Sequence, residues 1–185
     1  MHLRKWKILS SQMVINNQWC KVRQDEVKLP NGKIVDDYFV NLRLDVALIL
    51  PVTSNQEIVF VRQYRHGAGE ILLELPAGTF NFEIEDPQDA ALRELREETG
   101  YIAQTAIPLG VLYDNPVKDS NKIYLFVAQD VKKVVQQQLD ITEDIEIILL
   151  PISKVIEKIA AGEINVAGTV SALFKGLNYL QQSIL

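Results

Sequence analysis

The sequence predicts an α+β protein, a mixed β-sheet sandwiched between helices in an α/β/α arrangement, preceded by an N-terminal antiparallel β extension. Three observations carry that expectation. The N-terminal part interleaves polar and apolar residues and shows no helical stretch. Short runs rich in Val, Ile and Leu then follow, divided by turn-forming clusters. Beyond them, amphipathic helical segments alternate with further strand-like runs.

Residues 3–9, 12–16 and 18–28 are strand candidates, and Pro30-Asn31-Gly32-Lys33 is a turn signal for a hairpin into residues 34–42. Residues 47–52, 58–63 and 71–75 read as more buried strands, separated by Thr53-Ser54-Asn55-Gln56 and His66-Gly67-Ala68-Gly69. Leu75-Pro76-Ala77-Gly78 reads as a strand end and turn. Asp86-Pro87 starts a helix, with Asp as cap and Pro at the first position, and Gly100 is placed to end it. Strands are expected at 106–113, 122–128 and 145–150, and helices at 153–161, stopped by Gly162, and at 169–182. There are no internal repeats and no low-complexity tracts.

With 185 residues, 48% hydrophobic and 23% charged, the chain suits one globular domain with a small appendage. A formal charge of −5 argues against sequence-independent binding of nucleic acid, which relies on clustered Lys and Arg. An anionic substrate would then be met by a metal ion and local arginines. The single Cys20 allows no internal disulfide, in keeping with a reducing compartment. No apolar run reaches transmembrane length, and Arg4, Lys5, Trp6 and Lys7 lead into Ser and Gln rather than an apolar signal core. The expectation is a cytoplasmic protein with a small-molecule substrate and with neither nucleic acid nor membrane as partner.

The most informative run is Arg93-Glu94-Leu95-Arg96-Glu97-Glu98-Thr99-Gly100-Tyr101. Glu94, Glu97 and Glu98 stand at i, i+3 and i+4 near the end of the predicted helix, so three carboxylates share one face where the helix dipole disfavours anions. A divalent cation, Mg²⁺ or alternatively Mn²⁺, would turn that repulsive cluster into a coordination site. Leu92 and Leu95 are expected on the opposite side, in the core.

Together with Gly78 and Glu85, this run resembles the signature of the Nudix hydrolases: Gly, Glu, Arg-Glu-aliphatic-any-Glu-Glu-any-Gly-aliphatic on a loop-helix-loop. Six residues, Thr79 to Ile84, separate Gly78 from Glu85 where the family pattern has five, and Tyr101 stands in place of an aliphatic residue. The flanking Val61-Arg62-Gln63-Tyr64-Arg65-His66 and Leu73-Glu74-Leu75-Pro76-Ala77-Gly78 resemble the branch of ADP-ribose and other nucleoside diphosphate sugar pyrophosphatases. Glu143-Asp144-Ile145-Glu146 and the stretch from Gly162 to Leu173 resemble its C-terminal half.

The resemblance implies a Nudix-type α/β/α catalytic domain at residues 43–185. It also implies an N-terminal β region at 1–42 that takes part in a homodimer and in the substrate pocket. Glu94 and Glu98 are the expected metal ligands, with Glu97 binding directly or through water and the Ala77 carbonyl as a further ligand implied by the family. Gly78 would let the backbone pass close to the metal, and Arg93 would orient carboxylates. For the general base, the resemblance points to Glu143, and a signature glutamate, Glu97 or Glu98, is the alternative. Arg65 is expected to contact phosphate, Glu74 to belong to the substrate site, and Trp19 to stack on a base or to serve as packing. His66 reads as a turn residue.

The implied reaction is Mg-dependent hydrolysis of the pyrophosphate link of ADP-ribose, giving AMP and ribose 5-phosphate. Another ADP-sugar or GDP-mannose comes next. Asp114-Asn115-Pro116-Val117-Lys118-Asp119-Ser120-Asn121 departs from the Ser-Pro-Gly type loop of many ADP-ribose hydrolases, which leaves the sugar open. The competing reading is a nucleotide-sugar regulator that binds without turnover.

Overall fold

The computed structural model describes residues 3–182, so residues 1–2 and 183–185 of the two expected domains lie outside the described residues. The chain divides into two compact units, one running to Leu44 and including Tyr113–Lys122, the other comprising Asp45–Leu112 and the chain from Ile123.

The first unit is a three-stranded antiparallel sheet of β1 (Lys7–Asn16), β2 (Lys21–Lys28) and β3 (Ile34–Asn41) in that order. The two strands expected at 3–9 and 12–16 are one. Two register shifts against β2, between Ile8 and Ser10 and between Met13 and Ile15, absorb the break in alternation that suggested a gap. The segment 113–122 is tied to β3: Tyr38 Oη donates to the Val117 carbonyl at 2.7 Å, Asn41 Nδ2 to Asp119 at 2.7 Å, and Arg43 pairs with Asp114 and Asp119.

The second unit is built on an eight-stranded mixed sheet of β4 (Asp45–Thr53), β5 (Glu57–Arg65), β6 (Glu70–Glu74), β7 (Ala77–Phe80), β8 (Tyr101–Ile102), β9 (Ile107–Tyr113), β10 (Lys122–Lys133) and β11 (Ile145–Pro151). The main path runs β11-β5-β4-β10-β8; β6 adds to β5, β7 to β4 and β9 to β10. β4 and β10 pair in parallel, and residues 46–52 of β4 are almost wholly apolar, as burial on both faces demands.

That burial separates by parity. Ala47 and Ile49 join Val59, Phe80, Ala90, Ala91 and Leu95 in one cluster. Leu48 and Leu50 join Val155, Ile164, Ala172 and Leu173 in another. The first cluster lies under α1 (Pro87–Thr99), the second under α2 (Val155–Ala160) and α3 (Ala167–Gln182), so the sheet is covered on both faces. A 3-10 turn at Ile152–Lys154 leads into α2.

Two strands were not legible as such. Ala77 and Gly78, read as a strand end and turn, and Thr79 and Phe80, read as loop, form β7 because Asp45–Leu48 of β4 offers them an antiparallel ladder. The short β8 forms against Lys132 and Lys133, where β10 continues past its expected end through Asp130 in the left-handed region, φ 56°.

Candidate active site

The helix α1 is fixed at both ends by its own sequence. Asp86, in extended conformation, accepts from Gln88 N at 2.8 Å, with Pro87 at the first helical position. Gly100 ends the helix at φ 72° and donates to the Arg96 carbonyl at 2.8 Å. A Cβ at that position would also overlap the Val135 carbonyl, so only glycine fits there.

Residues 87, 90, 91, 94, 95, 98 and 99 are the buried positions of α1. The acidic face is therefore not opposite the core face, as Leu92 and Leu95 suggested; the two overlap. Leu95 is fully buried, Leu92 only partly, and Glu94 and Glu98 are 9% and 3% exposed. The buried carboxylates have polar partners, Arg93 for Glu94 and the start of β7 for Glu98. Ala77 N donates to Glu98 Oε2 at 3.1 Å, which brings the expected metal-site residue Ala77 directly against Glu98. At Gly78 a Cβ would overlap the Glu94 carboxyl, so the absent side chain is what gives Glu94 its place.

Arg93 gathers the remaining acids. Its Nε and Nη2 donate to the two oxygens of Glu85 at 2.8 and 3.0 Å, and its Nη1 donates to Glu94 at 2.6 Å and Glu97 at 3.0 Å. The extra residue before Glu85 is absorbed in a turn: the Asn81 carbonyl accepts from Ile84 N and Glu85 N, both at 3.0 Å, and Asn81 Oδ1 accepts from Glu83 N. The Glu85 carboxyl reaches Arg93 regardless.

The electrostatics follow from burial. Removal from water, with the charge of Glu94 added, pushes the Glu98 carboxyl up to about 8. Glu94 is also raised, chiefly by burial and against the pull of Arg93. Glu85 is lowered by its hydrogen bonds to Arg93, whose own pKa rises in return.

Gly78, Arg93, Glu94 and Glu97 line a polar cavity of about 420 Å³ together with Glu143. Glu143 lies 46 residues beyond Glu97 in sequence, on the loop before β11; its Oε2 accepts from Asp140 N at 2.9 Å. Arg65 and Glu74 are brought together with each other, Nε to Oε2 at 2.6 Å, and the Arg65 charge acts on Glu98. Trp19 belongs to the first unit, 83% exposed at the turn between β1 and β2.

Thr79, Gln138 and Asp140 also line the cavity and were not singled out from sequence. Gln138 lies in the run Gln136-Gln137-Gln138, which carries no motif that would have marked it. Another cavity of similar volume, bordered by Ile102, Ile107 and Val127, contains none of the carboxylates of α1.

The donor set suits a hard divalent cation. Two carboxylates stand one turn apart, and burial raises the pKa of both, so charging them is costly and a bound cation would offset that cost. Among the described residues no three acidic, His or Cys side chains already form a complete cage, so the fit rests on the pair Glu94 and Glu98.

Residues 42–167 match the family model of the NUDIX domain. The chain belongs to the Nudix hydrolases. Residues 6–41 match the nucleoside diphosphate sugar hydrolase N-terminal domain, which places this Nudix hydrolase in the branch of ADP-ribose and nucleoside diphosphate sugar pyrophosphatases. It is 32% identical over 176 residues to the methanol dehydrogenase activator of Bacillus methanolicus, covering 95% of this chain and 92% of that one. It is 28% identical, with the same coverage, to the ADP-ribose pyrophosphatase of Bacillus subtilis (strain 168). The ADP-ribose pyrophosphatase of Mycobacterium tuberculosis is 31% identical over 86% of this chain and 77% of its own. Among solved structures, that of an ADP compounds hydrolase superposes with a TM-score of 0.87 at 25% identity, covering 99% of this chain and 98% of that chain. Nudix hydrolases generally use divalent metal ions. No described helix is long and apolar enough to cross a membrane.

Proposed function

We propose that this Nudix hydrolase cleaves the pyrophosphate link of ADP-ribose or a related nucleoside diphosphate sugar, with Mg²⁺ or Mn²⁺, giving a nucleoside monophosphate and a sugar phosphate. The observation that carries the reading is the buried pair Glu94 and Glu98, set beside a polar cavity that Glu143 also lines.

Glu94 and Glu98 would hold the metal, with the Ala77 carbonyl as a third oxygen and Glu97 bound directly or through water. The ion supplies charge neutralisation at the phosphoryl oxygens when bound. Arg93 fixes the carboxylates: its bidentate grip on Glu85 leaves Nη1 to steer Glu94 and Glu97. Glu143 accepts the proton of the attacking water, and Glu97 or Glu98 is the alternative base. Arg65, with Glu74 holding its Nε, keeps its Nη groups for a phosphate oxygen.

The N-terminal region pairs two copies of the chain. Every residue of β1 is exposed, Leu9, Met13, Val14 and Ile15 at 41–45%, and an uncovered apolar edge strand calls for a partner strand or face. A cytoplasmic location accords with the lone Cys20.

The test is phosphate release with Mg²⁺ across a panel of nucleoside diphosphate sugars, coupled to a phosphatase that attacks the monophosphate products and spares the intact diester. Release is expected first from ADP-ribose. No release from any panel member with either metal, alongside retained nucleotide-sugar binding, would overturn the reading in favour of a non-catalytic regulator.

A further inference from the structure

We infer that Gln137 is a positioning residue whose side-chain amide ties the last turn of α1 to the segment carrying Glu143 and so holds Glu143 at the cavity it shares with Glu94 and Glu97. The inference rests on the reading that Glu143 serves the reaction.

A helix leaves its last carbonyls without intrahelical partners, and something must satisfy them. Here the strand-to-loop segment after β10 does so. Val134 N and Val135 N donate to the Gly100 carbonyl at 3.0 and 3.2 Å, and Gln138 N donates to the Glu97 carbonyl at 2.8 Å. The Glu98 carbonyl between them is taken by a side chain, Gln137 Nε2, at 2.6 Å. The same nitrogen donates its second hydrogen to the Ile145 carbonyl at 3.2 Å.

One amide thus joins three places: the end of the carboxylate-bearing helix, the entry of the 139–144 loop and its exit. Ile145 opens β11 two residues after Glu143, and β11 is laddered on β5 from Ile145 onward. Within the loop, bonding is local: Glu143 N donates to the Asp140 carbonyl at 2.9 Å and Asp140 N to the Glu143 carboxyl at 2.9 Å. That small turn moves as a body unless its ends are held, and Gln137 pulls the two ends toward each other and onto α1. Gln136 and Gln138 flank it in sequence, and of these three side chains the one turned to Glu98 is partly buried while its neighbours are exposed. A proton acceptor displaced by about 1 Å can cost on the order of 10²-fold in rate, so a tether with no contact to substrate still bears on turnover.

The experiment combines Gln137→Met, which keeps length and removes both donors, with Glu143→Gln, singly and together, in steady-state kinetics with Mg²⁺ and in hydrogen exchange of the protein without nucleotide. Gln137→Met is expected to lower kcat about 10-fold with KM nearly unchanged, and to add less than about 2-fold in the Glu143→Gln background, because a tether to Glu143 has nothing left to position. Exchange in residues 139–144 should rise about 10-fold while that of α1 stays as it was.

An equal loss in both backgrounds, a change confined to KM, or unaltered exchange in 139–144 would each overturn the tether. Full kcat in Glu143→Gln alone would instead sink the assignment of Glu143, and the positioning role with it, while the exchange result still reports whether the tether exists. Gln137→Asn, one methylene too short to span both carbonyls, takes the place of Gln137→Met should that variant not fold, with the same expected and refuting results.

Discussion

Glu98→Gln is the most exacting probe of the site, because it changes charge while keeping an acceptor for Ala77 N. Glu98 is 3% exposed, and burial raises its carboxyl from 4.5 to about 8. A carboxyl with a higher pKa folded than unfolded binds more protons in the folded state, so its contribution to stability falls as pH rises from about 4.5 to about 8. Below 4.5 it is neutral in both states; above 8 it is ionised in both, and ionisation is costly only in the fold. Integrated between pH 5 and pH 9, the loss is on the order of 4 kcal/mol, a ceiling because the carboxyl can relax toward the cavity. For a chain of 185 residues that corresponds to roughly 8–16 °C in melting temperature.

The assay is thermal unfolding of wild type and Glu98→Gln in EDTA at pH 5, 7 and 9. The variant should be the more stable at high pH, with a gap that widens from pH 5 to about pH 8 and then levels off. Saturating Mg²⁺ should narrow the gap, since ligand at 100 times its Kd adds about 2.7 kcal/mol to a protein that binds it and little to one that has lost a ligand. The variant should also lose metal-dependent turnover. Parallel pH profiles in EDTA would refute the reasoning, because they would mean that Glu98 is ionised in the fold without penalty.

Three more outcomes are expected. Glu143→Gln should lower kcat by about 10²- to 10⁴-fold if it is the base, whereas the larger loss in Glu97→Gln would move that role to the helix. Gly78→Ala, whose methyl meets the Glu94 carboxyl, should weaken Mg²⁺ binding by about 10-fold or more in calorimetry, and unchanged affinity would show that Glu94 can ligate from elsewhere. Leu9→Lys combined with Met13→Lys on the exposed β1 should convert a dimer to a monomer in sedimentation; a wild-type mass that is monomeric at every concentration would remove the dimer altogether.

Much of the site was legible because α1 carries its own instructions. The cap at Asp86, the stop at Gly100 and the i, i+3, i+4 spacing of the acids are local, and local patterns survive any tertiary context. The same holds for the buried strands β4 and β5, whose apolar runs have few other uses. The strand β7 was not legible, since Ala77-Gly78-Thr79-Phe80 has no strand signal of its own and extends only because β4 offers it a ladder. Nor was the burial of the acids: sequence spacing told which carboxylates share a face, and the eye then assigns that face to water.

By itself the sequence determined that three glutamates would lie on one side of a single helix, because helical geometry follows from chain-local forces. Only the tertiary structure decided that two of them would be withdrawn from water against Ala77 and Gly78, that Arg93 would bind Glu85 from across a turn, and that Gln137 would reach from a distant loop to the end of that helix. Those contacts join separate elements of the chain, from 8 to 39 residues apart, and no local periodicity encodes them.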